Sequence, residues 1–114
     1  MMVVIFEVEP APGQRETYLA KAADLKPLLE RLEGFISVER FQSLTDEKRV
    51  LSLSFWRDEA AVVRWRQMPE HRAAQRMGRS GVFADYRLRI ADVIRDYGLR
   101  EREQAPADSK ADHG

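Results

Sequence analysis

Val50-Leu51-Ser52-Leu53-Ser54-Phe55-Trp56 follows the polar turn Thr45-Asp46-Glu47-Lys48, and before that turn stands another apolar-rich stretch, residues 35–43. Leu51, Leu53 and Phe55 share one side of the later stretch, and Val50, Ser52, Ser54 and Trp56 share the other, which is the period of two that a strand requires. Residues 49–56 and 35–43 therefore read as two strands. The polar connection between them is short enough to be a hairpin, so the two are antiparallel neighbours. In the earlier strand Ile36 and Val38 fall on one face, Phe35 and Phe41 on the other. Alternation alone leaves open which face of each strand turns inward.

Towards the N-terminus, residues 2–9 alternate as well. Met2, Val4, Phe6 and Val8 make one wholly apolar face, and Val3, Ile5, Glu7 and Glu9 the other. Pro10, Pro12 and Gly13 end this strand. Tyr18, Ala22, Leu25, Leu29 and Leu32 then recur at spacings of three and four, which predicts a helix over 14–32 with one apolar stripe. Pro27 lacks the backbone donor that a helix interior needs, so a kink or break is expected near Asp24. Gly34 suits the C-terminal cap.

Towards the C-terminus, Asp58 is placed to cap a helix carrying Val62, Val63 and Trp65. Pro69 fits the first position of another short helix that ends at Gly78 and Gly81. Residues 85–97 read as a last strand, with Tyr86, Leu88 and Ile90 on one face and an irregularity around Asp92. The order strand, helix, strand, strand, helices, strand predicts an α+β, ferredoxin-like βαββαβ domain over residues 1–98, with a four-stranded antiparallel sheet and helices on one face. Residues 99–114 are polar and too poor in apolar surface to offset their ordering entropy, so a disordered tail is expected.

Nineteen basic and nineteen acidic side chains leave no net charge, and with it no footprint for nucleic acid or an acidic membrane. The start of the chain lacks the basic region of a signal peptide, and no stretch is apolar enough to span a bilayer. The absence of cysteine removes disulfides, thiolate metal sites and thiol nucleophiles and is compatible with a reducing cytoplasm, the expected location. A small domain with apolar residues on both sheet faces is expected to pair with itself. Helices cover one face only, which leaves Val3, Ile5, Leu51, Leu53 and Phe55 opposite them.

Three stretches carry a family resemblance: Phe55-Trp56-Arg57-Asp58-Glu59-Ala60; Trp65-Arg66-Gln67-Met68-Pro69-Glu70-His71-Arg72-Ala73-Ala74-Gln75; and Phe83-Ala84-Asp85-Tyr86-Arg87-Leu88-Arg89. Taken in this order and spacing, they resemble the antibiotic biosynthesis monooxygenase (ABM) family. The resemblance implies a homodimer whose sheets close into a shared α+β barrel, with a pocket between sheet and helices in each protomer. Family members include oxygenases that use no bound cofactor on aromatic polyketides and quinols, and haem-degrading monooxygenases. The haem-degrading pattern joins a strand asparagine, a helix tryptophan and an iron-ligating histidine. Here Trp65 matches the tryptophan, but the asparagine falls near Val4 and the histidine on Ala74 or Gln75.

These readings together point to a monooxygenase without bound cofactor or metal, acting on an electron-rich aromatic or quinol. His71 or Tyr86 would accept or position the phenolic proton, Trp65 would lie against the ring, and Val4, Phe6, Met68 and Phe83 would form an apolar wall. Each residue also has a plainer reading. His71 and Tyr86 suit exposed element ends, and Trp65 suits ordinary core. The arginines at 72, 76, 79, 87, 89 and 95 suit a mixed-charge surface. A haem-binding chain using His71, and a non-catalytic dimeric ligand-binding or stress protein, are the alternatives.

Overall fold

The structure is a computed structural model that describes residues 1–114. Four strands, β1 (Met2–Pro10), β2 (Phe35–Gln42), β3 (Val50–Trp56) and β4 (Phe83–Asp92), form one sheet in the order β2-β3-β1-β4. All three pairings are antiparallel. The helices α1 (Arg15–Glu30), α2 (Glu59–Gln67) and α3 (Pro69–Met77) complete the ferredoxin-like order.

Register decides which residues meet the helices. Val4 stands opposite Ser54 and Ile90, and Phe6 opposite Ser52 and Leu88. On β2, Arg40 pairs with Ser52 and Val38 with Ser54. This face packs under α1 and α2 in two groups. Leu29, Trp56, Ala61, Val62 and Trp65 form one, and Val8, Tyr18, Val50 and Val82 the other. The serine face of β3 is thus the inward one. Its polarity is offset where burial is deepest, because Trp56 Nε1 donates to Ser54 Oγ at 2.9 Å.

Asp58 caps α2, its Oδ1 accepting from the Ala61 backbone N–H at 2.9 Å. The neighbouring Arg57 holds this carboxyl below its ordinary range, chiefly by a side-chain hydrogen bond, and the Ala61 bond acts in the same direction. Gly34 lies at φ +89, and a Cβ there would come within 2.7 Å of the Ala61 Cβ, so α2 seats against the turn that ends α1.

Four expectations are corrected. The helix α1 runs unbroken through Pro27. Pro27 and Ala23, whose carbonyl loses its partner, are both solvent-facing, while Tyr18, Ala22 and Leu29 remain buried. Water can satisfy the freed carbonyl, so burial of the stripe outweighs one lost bond.

On β2 the register shifts between Phe35 and Ser37. Phe35 therefore joins Val38 on the helix side, edge-on to Trp56 at 5.3 Å, and Ile36 is left exposed.

The last strand ends at Asp92 because β1, its one neighbour, has no residue left to pair beyond Met2. The Val93 N–H to Met1 carbonyl bond (2.9 Å) closes the ladder.

The tail expected to be disordered carries a short helix, α4 (Ala107–His113). It is tied locally: Arg102 donates to the Gly98 carbonyl at 3.0 Å and the Gly114 carbonyl at 2.7 Å. Two apolar surfaces stay open. Tyr86, Leu88 and Ile90 on the edge strand β4 are 44%, 45% and 39% exposed. On the face away from the helices, Ile5, Leu51, Leu53 and Phe55 are half-buried, and Glu7 pairs there with Arg89 at 3.2 Å.

Candidate functional site

A cavity of about 450 Å³ lies between the helix-facing side of the sheet and the three helices. Its walls are mostly apolar, and a few polar groups point into it, the mixture typical of small-molecule sites. Trp65, His71, Tyr86, Val4, Phe6 and Phe83 all line it. Met68 does not. At the α2–α3 junction Met68 turns to the core around Trp56 and Trp65 instead.

Two aromatic groups stand in the walls. In one, the His71 ring lies 4.8 Å from that of Trp65, tilted by 56°. Pro69 starts α3 directly after α2, and this brings His71 back over the preceding helix. In the other, Phe6, Phe83 and Tyr86 meet at 5.7–6.0 Å between ring centroids. The buried glycine Gly78 allows the Phe83 ring to sit there, since a Cβ at that position would run into it.

His71 differs from an ordinary surface histidine. Its Nδ1 is buried and has no hydrogen-bond partner. Burial is the main cause that pushes its pKa below the ordinary 6.5. The Arg66 backbone opposes this, although its carbonyl is outside hydrogen-bond geometry, and the Arg66 charge reinforces it. The ring is thus neutral near pH 7, and with Nδ1 sealed from solvent, Nε2 is the ring nitrogen that a molecule in the cavity can meet. Folding favours the neutral ring and the unfolded chain binds the proton more readily. The stability from burying His71 is therefore complete above pH 6.5 and is lost as pH falls from there through the folded value. The thermal midpoint should drop as pH falls below about 6.5, and less steeply in His71→Gln. Equal slopes in the two proteins would remove this account of the ring.

Of the arginine series, Arg79 alone lines the cavity. Arg89 is bound to Glu7 on the far face. The sequence reading passed over Tyr18, Lys21, Arg40 and Arg66, which also line it. The signal for Arg40 was its period-two spacing from Val38, which places a charge on the apolar side of an edge strand.

A ferredoxin-like domain with an apolar cavity between sheet and helices defines a class of small-ligand α+β proteins, and comparison with known proteins narrows it. The family model for antibiotic biosynthesis monooxygenase matches residues 1–77, and the chain belongs to that family. Over 93 residues it is 50% identical to jasmonate monooxygenase ABM of Pyricularia oryzae, covering 82% of this chain and 43% of that protein. It is 36% identical over 68 residues to the uncharacterised protein YqjZ of Bacillus subtilis, covering 60% of this chain and 58% of that one. The chain thus spans about half the length of these curated relatives.

Solved structures share the fold. A Deinococcus radiodurans protein assigned to antibiotic biosynthesis monooxygenases superposes with a TM-score of 0.77 at 9% identity, over 86% of this chain and 97% of that one. A conserved protein of Methanosarcina mazei gives 0.72 at 14% identity, over 79% and 89%. No helix of the chain is long and apolar enough to cross a membrane.

Proposed function

We propose that this chain is a monooxygenase that needs no bound cofactor and oxidises a small, largely apolar, electron-rich substrate such as a quinol. One observation carries the reading: a neutral histidine stands against Trp65 in the wall of an apolar cavity, its Nδ1 sealed from solvent so that Nε2 is the nitrogen a bound molecule can meet. His71 takes the proton of a phenolic hydroxyl, and the resulting anion yields an electron to oxygen more readily than the neutral ring. In the simplest balance one ring C–H of the quinol becomes C–OH and the quinol itself is oxidised to the quinone. The substrate supplies four electrons, one oxygen atom of O₂ enters the product and the other leaves as water. The chain's part is to hold the substrate, accept its proton and exclude bulk water.

Haem fits the cavity wall poorly. At the place where the haem-degrading pattern puts its ligand stand Ala74 and Gln75, and neither offers an imidazole. The Pyricularia relative's name supports a second substrate, a jasmonate, which is an alicyclic acid. The two are separated by incubating the chain under ¹⁸O₂ with a small quinol panel, and with jasmonate plus a reductant. Label in a quinol product supports the first reading, and label in oxidised jasmonate the second. No label in either leaves a binding protein.

We also infer a homodimer formed through the sheet face opposite the helices. Ile5, Leu51, Leu53 and Phe55 make an apolar patch there, which a single chain leaves half in water. Placing an aspartate at Leu53 would bury an unpaired charge in that interface, so Leu53→Asp should be a monomer by light scattering at micromolar concentration. A wild-type chain that already scatters as a monomer defeats the inference.

A further inference from the structure

The cavity's charge is one-sided. Lys21, Arg40, Arg66 and Arg79 line it, and no aspartate or glutamate does. None of the four takes part in an ion pair; the paired arginines are Arg49, Arg57 and Arg89, all elsewhere. Arg66 and Arg79 are exposed to solvent, whereas Lys21 and Arg40 are half-buried beside a largely apolar hollow, where low-dielectric walls strengthen their field.

The strongest member is Arg40. It stands half-buried on the helix-facing side of β2, opposite Ser52 in the next strand, with Val38 and Phe6 near it in the register. Its Nε donates to the Tyr18 hydroxyl of α1 at 3.4 Å, and this is its one side-chain hydrogen bond. Both Nη groups keep their donors free. The Tyr18 oxygen accepts from Arg40, so its own proton is free to be donated, and the Ser52 hydroxyl has no side-chain partner. Lys21 lies one turn along α1 from Tyr18. These are donors converging without an acceptor.

We propose that Arg40, with Tyr18, Ser52 and Lys21, binds a carboxylate borne by the substrate, so that the quinol or other oxidisable body carries an acid group. This rests on the cavity being the substrate site, as the proposed function has it. The planar guanidinium fork matches a carboxylate, and the remaining walls suit a hydrocarbon or ring body. With its carboxylate at β2, the body of the ligand extends past Phe6 towards Trp65 and His71. Arg40 is then a specificity-determining residue that touches no reacting atom.

Decanoate and decanamide make a test pair, equal in length and differing in charge. Binding to the full chain is followed by quenching of tryptophan fluorescence, since Trp56 and Trp65 both line the cavity. Decanoate should bind at least about tenfold more tightly than the amide, as expected for charge-assisted hydrogen bonds out of bulk water. Arg40→Gln should erase that preference and leave amide binding unchanged, and Arg40→Lys should keep part of it. Arg72→Gln removes an exposed cation that does not line the cavity, and it should keep the whole preference. Equal binding of acid and amide by the wild type, or a preference that survives in Arg40→Gln, overturns the proposal. Arg40 would then be an inward charge that guards an edge strand against further pairing. If neither ligand binds, the cavity is not a substrate site, and the proposed function fails with it.

Discussion

Trp56→Ala is expected to cost about 3–5 kcal/mol, enough to lower the thermal midpoint of a domain this size by about 10–25 °C. Trp56 is 1% exposed and is the largest fully buried side chain of the protein. It ends β3, meets Phe35 edge-on, and packs in one cluster with Leu29, Ala61, Val62 and Trp65. Its removal detaches β3 from both α1 and α2. The backbone around it is fixed on three strands, so the hole cannot readily collapse. The loss also leaves the Ser54 hydroxyl buried without the indole N–H that it accepts.

Trp56→Phe separates these contributions. It keeps most of the ring's burial and loses the hydrogen bond, so about 1–2 kcal/mol is expected. Trp65→Ala should cost less than Trp56→Ala, because Trp65 is 9% exposed against 1% for Trp56 and so has less burial to lose. Urea titrations of the three variants check the order. A Trp56→Ala protein within about 1 kcal/mol of wild type would show that this cluster does not hold the sheet to its helices.

The order of these tryptophans also shows what the sequence could and could not reveal. Strand alternation, the Asp58 cap, Pro69 at a helix start and the polar hairpin were all legible, because each depends on residues close together in the chain. The inward side of β3 was legible only indirectly. Alternation left it open, and Leu51, Leu53 and Phe55 were placed opposite the helices by the apolar excess on both sheet faces rather than by anything in β3 itself. The structure turns the serine side to the helices because Val50 and Trp56 share that side, and the Trp56 indole satisfies Ser54. The Phe35 bulge and the end of β4 were hidden for a related reason. Both are set by the partner strand, through a register shift in one case and the end of β1 in the other. The cavity was legible in part. Trp65, His71 and Phe6 followed from helix and strand faces together with the family resemblance, whereas the meeting of Lys21 and Arg40 came to light only once α1 and β2 were placed side by side.

His71→Ala is expected to lower turnover by about 10²–10⁴-fold, the usual contribution of a positioned general base. At pH 7.5 its thermal midpoint should stay close to the wild-type value, because His71 carries no hydrogen bond that holds the fold together. Tyr86 offers the contrast. It is 44% exposed on the edge strand and packs at an angle against Phe6 and Phe83, so Tyr86→Phe keeps the packing and removes only a hydroxyl. That change should raise KM more than it lowers kcat if the hydroxyl positions substrate rather than moving a proton.

The pH profile tests the assignment further. Burial holds the His71 pKa below 6.5, so its basic form persists into mildly acidic solution. Wild-type kcat/KM should be flat above pH 6.5 and should fall only below it, along a limb that His71→Gln lacks. A limb centred above pH 6.5 in the wild type, or one that survives in the glutamine variant, would assign the proton to another group. The imidazole would then be a cavity wall, set there by Pro69 and the face of Trp65 rather than by its chemistry.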